Sequence, residues 1–404
     1  MNQPTRVLEV ELSAEPRDHD VPDHRVAKVL VRLHGTPLGF ATLPVTDGTL
    51  THAAVLAAAQ DLGLAEHLAA DSIADPREPG SSWACRAPGS SHLPDSMSVV
   101  LCTRDRADQL AIALQSVLLA AGPDVDVVVV DNAPRTNATK SVVAEMGDDR
   151  VHYVLEPRPG LSVARNTGVR ATRGEAIAFT DDDVVVDAGW LTALRRGFTR
   201  APHIGCVTGL VPSAELETAP QHFFDAKVHW SSSTTPRLYD LDQHREPSGL
   251  YPYASGKIGT GANFAVLRSA YDALGDFDQA LGAGALTRGG EDLDWFVRTL
   301  LGGWTIAYEP SAVVWHRHRR ELDALAEQLF GYGTGLTAYL TKHLLTSRGF
   351  AQIAGSVVHG LRYRRTQRAG SIDAGIHPGL LRRERTGMLY GPLLYARSRR
   401  QVRR

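Results

Sequence analysis

Apolar positions along the chain change period part-way through it. Residues 6–12 and 27–33 alternate apolar and polar side chains, the period of a half-buried strand. The turn-forming run His34-Gly35-Thr36-Pro37 then lets 39–43 return as a further strand. Residues 51–70 carry Ala and Leu at helical spacing. The stretch 75–95 breaks the pattern with Pro76, Pro79, Gly80, Pro88, Gly89 and Pro94 among serines, which predicts a linker. From residue 98 onward, short strand-like runs at 98–102, 125–130, 151–155 and 176–180 take turns with helix-period segments at 108–121, 136–145 and 161–172. Apolar runs without polar alternation belong to strands buried on both faces. Their alternation with helices predicts a parallel sheet covered on both sides. The expected class is α/β: an open, mostly parallel sheet flanked by helices, with a small α+β unit over 1–92, the main domain over 93–340, and a helical basic region over 341–404.

Ligands on such sheets sit beyond the carboxyl ends of the strands. Thr103-Arg104-Asp105-Arg106 follows the first strand, Asp131-Asn132 ends the second, and Asp181-Asp182-Asp183 follows the fourth. Three adjacent carboxylates repel one another and are stable together when a hard cation or hydrogen-bond donors neutralise them. In an extended segment 181 and 183 share one side and Asp182 points away. The alternative is a solvated turn, although Asp187 already suits the cap of the next helix. A hydroxyl, arginines and carboxylates at one sheet edge suit a phosphorylated, ribose-bearing ligand held with a divalent metal. Arg158-Pro159-Gly160-Leu161-Ser162 opens a helix, with Gly160 free to take an unusual backbone angle and Ser162 placed to cap. Arg165 and Asn166 fall in its first turns.

Three later segments carry chemistry. Gly259-Thr260-Gly261-Ala262-Asn263-Phe264-Ala265 is a Gly-rich turn entering a strand. Gly289-Gly290-Glu291-Asp292 opens a helix whose packed face is Leu293, Phe296, Val297 and Leu300, which puts both carboxylates in the dipole-favoured first turn. Trp315-His316-Arg317-His318 closes a short strand, where two histidines at spacing two form a metal pair only if both point the same way.

Composition narrows the reading. With 404 residues, 43% apolar and 22% charged, the chain is long and apolar enough for a sizeable core. Its 43 Lys/Arg against 45 Asp/Glu give no global reason to expect nucleic acid. Three scattered cysteines exclude a disulfide framework and a cysteine-rich zinc site. With no leader-like start and no apolar run long enough to span a bilayer, a cytoplasmic protein is expected. Residues 341–404 hold 14 Lys/Arg and 2 Asp/Glu, so the rest of the chain is strongly acidic. Two readings of this tail stand: an amphipathic element touching anionic lipid at the inner face of a membrane, or a basic face docked on the acidic domain.

The run 160–168, with Gly174-Glu175, Thr180-Asp181-Asp182-Asp183, Cys102-Thr103-Arg104-Asp105-Arg106 and Val130-Asp131-Asn132, resembles the family 2 glycosyltransferases of the GT-A fold. The likeness covers 98–339 and leaves out the N-terminal unit and the tail. It implies transfer of a sugar from a nucleoside-diphosphate sugar to a hydroxyl-bearing acceptor, which is a glycan, a lipid-linked acceptor or a small molecule. It implies a donor site at Thr103, Arg104, Arg106, Asp131, Asn132, Arg158, Gly160, Arg165, Asn166, Asp181 and Asp182. A divalent cation, Mn²⁺ or Mg²⁺, is expected on Asp183, Asp181 and His316. The Glu-Asp pair suggests Asp292 as the base that takes the acceptor proton, as inversion requires, with Glu291 orienting the acceptor beside Asn263, Gly290 and Trp295. The N-terminal unit is expected to pack on the main domain, to support a homodimer, or to touch the acceptor. Competing readings are a retaining transferase, an inactive nucleotide-sugar-binding module, and a nucleotidyltransferase. The last is disfavoured because Thr103-Arg104-Asp105-Arg106 stands where a Gly-rich phosphate loop would be.

Overall fold

A computed structural model describes residues 3–73, 93–228, 230–346, 349–350, 353 and 378–403. The expected linker lies mostly outside the described residues, as does the cluster Arg362-Arg364-Arg365-Arg368.

The N-terminal unit contains β1 (Arg6–Glu11), β2 (His19–Asp20), β3 (Val26–Leu33), β4 (Thr36–Pro44), β5 (Thr49–Leu50), α1 (His52–Asp61) and α2 (Leu64–Ile73). β3 lies between a parallel β1 and an antiparallel β4, and β2 pairs with β5. The hairpin turns at His34 and Gly35, with φ of 52° and 75°, the signature of a two-residue turn matched to strand twist. The single helix expected over 51–70 is two helices. Gly63 takes φ 87°, which ends the first and starts the second. Val29, Val31, Leu50 and Val55 fill this unit's core, while Leu30 on the other face of β3 joins the main domain's core. Lys28 meets Asp225 at 2.7 Å and Arg32 meets Asp187 at 2.6 Å, pinning the unit to the main domain.

The main domain runs β6 (Met97–Thr103), α3 (Ala107–Ala120), β7 (Asp126–Asn132), α4 (Ala138–Met146), β8 (Val151–Glu156), α5 (Leu161–Ala171), β9 (Ala176–Thr180), β10 (Val184–Val186), α6 (Trp190–Gly197), β11 (Ile204–Leu210), α7 (Ala219–Val228), β12 (Arg237–Tyr239), β13 (Asn263–Leu267), α8 (Arg268–Leu274), α9 (Glu291–Leu301), β14 (Thr305–His316) and α10 (Leu322–Leu344). One nine-stranded sheet has the order β10-β14-β11-β13-β9-β6-β7-β8, with β12 on β14. The half β9-β6-β7-β8 is parallel. The other half is mixed, because β13 runs antiparallel to both β9 and β11. From β6 the chain winds outward through β7 and β8, then returns to lay β9 on the other side, so the strand order reverses between β6 and β9. Such a switch point opens a crevice at the strand ends. α5 can lie close over the sheet because Gly168 offers no Cβ to Val100 and Val130.

The tail's described part is α11 (Pro378–Val402), which runs beside α10 in the same direction. Gly387 sits against Phe330 and Thr334, and Gly391 against Thr334 and Thr337, so the backbones touch. Pro392 lies inside α11 and has no N–H to give the Met388 carbonyl. The Thr337 hydroxyl fills that place from α10 at 2.9 Å. Among the described residues no helix is long and apolar enough to cross a membrane.

Candidate active site

A cleft of about 680 Å³ opens at the switch point. Its floor comes from the strand ends. Thr103, closing β6, donates its hydroxyl to Asp182 at 2.7 Å, and Arg106 reaches Asp182 at 2.9 Å and Asp183 at 3.4 Å. Asp182 therefore faces Thr103 and Arg106, while Asp181 and Asp183 face His316. One donor atom from each of Asp181, Asp183 and His316 lies within 4.8 Å of the others, and His316 Nε2 is 3.3 Å from Asp183. His316 arrives there because β14 is long enough to carry it across from β11 to β10.

The electrostatics differ among the carboxylates. Burial would raise Asp183, but His316, Arg319 and Arg106 outweigh it and hold the group below the usual carboxylate range. Asp181 is pushed up, chiefly by burial and then by Asp183, Asp182 and Glu291, with Arg165 opposing. Burial also lowers His316, with Asp183 opposing.

The opposite wall is α9. Gly290 takes φ 90° against the Gly335 backbone of α10, where no side chain would fit. Glu291 is buried and paired with Arg165 at 3.0 Å. Burial and then Asp292 push it up to about 7 against that pairing. Asp292 lines the cleft, and its two oxygens accept backbone N–H groups of Gly261 and Leu293, each at 2.8 Å. Arg165 crosses beneath the floor. It donates to Glu291 and the Gly261 carbonyl, lies 3.6 Å from Asp181, and is flanked by Phe264 and Phe277.

The structure thus brings together Thr103, Arg104, Arg106, Asn132, Arg165, Asp181, Asp182, Asp183, Gly290, Glu291, Asp292 and His316 around one cleft. Gly160 closes its rim from behind: its N–H donates to Asn132 at 2.9 Å, and Gly284 abuts its backbone. Other expected residues lie elsewhere. Asp131 is buried beneath the floor, holding Tyr153 at 2.9 Å, with its second oxygen unpartnered. Arg158 turns outward onto Glu156. Asn166 is spent on the Phe277 backbone and the Tyr271 hydroxyl. Asn263 is fully buried, its amide shared among Trp190, Leu210 and Ala312, so it does not face an acceptor. Trp295 is likewise fully buried, stacked near Tyr271 and Phe277. Ser162 caps nothing; Gly160 is the N-cap, and the Ser162 hydroxyl holds the Leu281 carbonyl.

Several cleft residues carried no signal in the sequence. Lys227 pairs with Glu384 of α11 at 2.8 Å, and Arg288 with Glu327 of α10 at 2.9 Å. Tyr332 of α10 also lines the cleft. His318 stands behind His316 with Nδ1 atoms 3.1 Å apart, buried against Phe224 and Trp230.

Residues 98–274 match Glycosyl transferase family 2. The succinoglycan biosynthesis protein ExoM of Rhizobium meliloti is 31% identical over 249 residues, 59% of this chain and 72% of that protein. A pre-mycofactocin glycosyltransferase of Mycobacterium tuberculosis is 28% identical over 69% of this chain but only 53% of its own length. Among solved structures, the mannosyltransferase PcManGT from Pyrobaculum calidifontis, in complex with GDP-Man and Mn²⁺, has a TM-score of 0.48 at 17% identity, covering 78% of this chain and 87% of that one. The chain belongs to glycosyl transferase family 2.

Proposed function

We propose that this enzyme moves a sugar from a nucleoside-diphosphate sugar to an acceptor hydroxyl with inversion, using a divalent metal and Asp292 as base. The observation that carries the reading is the placement of Asp181, Asp183 and His316 on one wall of a cleft whose other wall presents Asp292. The donor set fits a cation such as Mn²⁺: two carboxylates and an imidazole converge, and Asp181 is raised by burial and then by its neighbouring carboxylates, which a cation would offset. A bound cation there would act as Lewis acid on the departing diphosphate.

The chain's own residues divide the remaining work. Arg104 and Arg106 border the donor end, where guanidinium groups suit phosphate oxygens. Asn132 fixes the 158–160 loop over the base-and-ribose end by accepting from Gly160 and donating to the Arg158 carbonyl at 2.8 Å. Two backbone N–H groups hold the Asp292 carboxylate in place, and its remaining lone pairs are open to a proton from the attacking hydroxyl. Glu291 is committed to Arg165 and orients rather than abstracts. We take 93–340 as the catalytic unit and 1–92 as its support. The name of the Rhizobium relative, a polysaccharide biosynthesis protein, supports a glycan acceptor.

Calorimetric titration of UDP-, GDP- and dTDP-sugars with and without Mn²⁺ tests this. One donor should bind with metal, lose binding in Asp183→Ala, and keep it in Asp292→Asn while transfer stops. Wild-type transfer by Asp292→Asn would refute the base. The anomeric configuration of the product, read by NMR, decides inversion.

A further inference from the structure

α11 has two faces of different chemistry. Its inner face, with Gly387, Gly391, Tyr395 and Ser398, is buried. Its outer face carries Leu389, 82% exposed, and Leu393, 49% exposed, one helical turn apart and opposite the buried glycines, with Tyr390 beside them at 50%. Exposed arginines at 382, 385, 397 and 400 frame this apolar stripe. The helix's one carboxylate, Glu384, points the other way, into the cleft against Lys227. The outer face therefore presents apolar side chains within an unbroken positive rim, on a protein whose other regions are acidic.

We propose that this outer face of α11 docks on an anionic lipid bilayer. Two leucines and a tyrosine projecting from a helix that lies along a rigid partner are suited to the headgroup–acyl boundary. Long arginine stems can cover apolar surface while their charged ends stay among the headgroups. Charge complementarity selects a lipid surface over a second copy: two such faces brought together would set arginine against arginine. The docking surface does not depend on the transfer reading above.

Sedimentation of the full-length protein with phosphatidylcholine vesicles, with and without phosphatidylglycerol, tests the proposal. The protein should pellet with the anionic vesicles only, and added salt should release it. Leu389→Glu with Leu393→Glu should weaken binding at least tenfold. Arg385→Gln, Arg397→Gln and Arg400→Gln together should weaken it about 100-fold, at about fivefold per arginine. Both variants should melt like wild type and bind donor like wild type. Equal pelleting with neutral vesicles, or unchanged binding by the leucine variant, overturns the proposal. So does a dimer in sedimentation velocity that the leucine variant splits, which would make a second copy the occupant. A marked fall in melting temperature of the leucine variant also overturns it, by showing the face covered within the chain. Vesicle binding without any donor binding would sink the transfer reading alone.

Discussion

Replacing Arg165 by Met tests whether the cleft is built around one buried ion pair. Arg165 and Glu291 have side chains only 2% and 7% exposed and meet at 3.0 Å. Removing one partner of such a pair costs about 3–5 kcal/mol, because the other is left charged in a poor solvent. The Gly261 carbonyl also loses its donor, worth about 1–3 kcal/mol. Glu291 can limit the loss by taking a proton, since burial and Asp292 already push it up to about 7. A net cost near 3–4 kcal/mol follows, or about 6–16 °C in Tm for a domain of this size. The pH dependence has a definite sign. Without the guanidinium, the folded-state pKa of Glu291 rises further above its unfolded value. A raised pKa gives stability that is complete at acid pH and is lost as pH climbs through the folded value. Arg165→Met should therefore lose more at about pH 8 than at about pH 6, and Asp181, which also faces Arg165, adds in the same direction. Thermal melts of both proteins across that range supply the test. A deficit that is the same at both pH values would show that an uncompensated carboxylate is not the cause, and the account of Arg165 would fall.

Three further outcomes are expected. Asp183→Ala should lower metal-dependent donor affinity at least tenfold in calorimetry while leaving the fold's circular dichroism intact, since Asp183 faces the cleft rather than the core. Gly391→Leu should part α11 from α10, because a side chain there meets Thr334 and Thr337; a loss of about 1–3 kcal/mol and faster cleavage in 378–403 under limited proteolysis would report it. Asp294 is fully buried among His343, Lys342 and Arg298, which hold it well below the usual carboxylate range. Asp294→Asn should cost about 3–5 kcal/mol near neutral pH, and the gap to wild type in chemical denaturation should close as pH falls below about 4, since a depressed pKa stabilises only above that range.

The sheet and its polar ends were legible because they follow local rules. A continuous apolar run such as Val127 to Val130 can only be a covered strand, and a parallel arrangement sends every strand's C-terminal residues to one edge. Thr103, Asp181 and Asp183 could be found that way, whereas Asp292 was legible as the first turn of a helix opened by Gly289-Gly290. Asn263 and Trp295 could not be placed, because what consumes them is distant in sequence: Trp190 for the amide, Tyr271 and Phe277 for the indole. Asn166 fails for the same reason, its partners lying at 271 and 277. Lys227 and Glu384 were invisible because their pairing depends on α11 lying against α10, and that contact rests on glycines whose close approach no periodicity reveals.

Ion pairing in the cleft separates carboxylates that hold structure from those free for chemistry. Asp182 has Arg106 at 2.9 Å, Glu291 has Arg165 at 3.0 Å, and Glu327 and Glu384 have Arg288 and Lys227 at 2.9 and 2.8 Å. Asp183 has Arg106 and Arg319, each at 3.4 Å. Two cleft carboxylates stand apart among the described residues. Asp181 has only Arg165, at 3.6 Å and already committed to Glu291, and Asp292 has backbone donors but no cation. They lie on opposite walls and differ in what they lack. Asp181 sits beside two more carboxylates, so the missing charge there is one a divalent cation can supply to it and Asp183 together. Asp292 has no ion-pair partner among the described residues, which is what the base role proposed above requires: the proton released by an attacking hydroxyl would balance its charge during transfer.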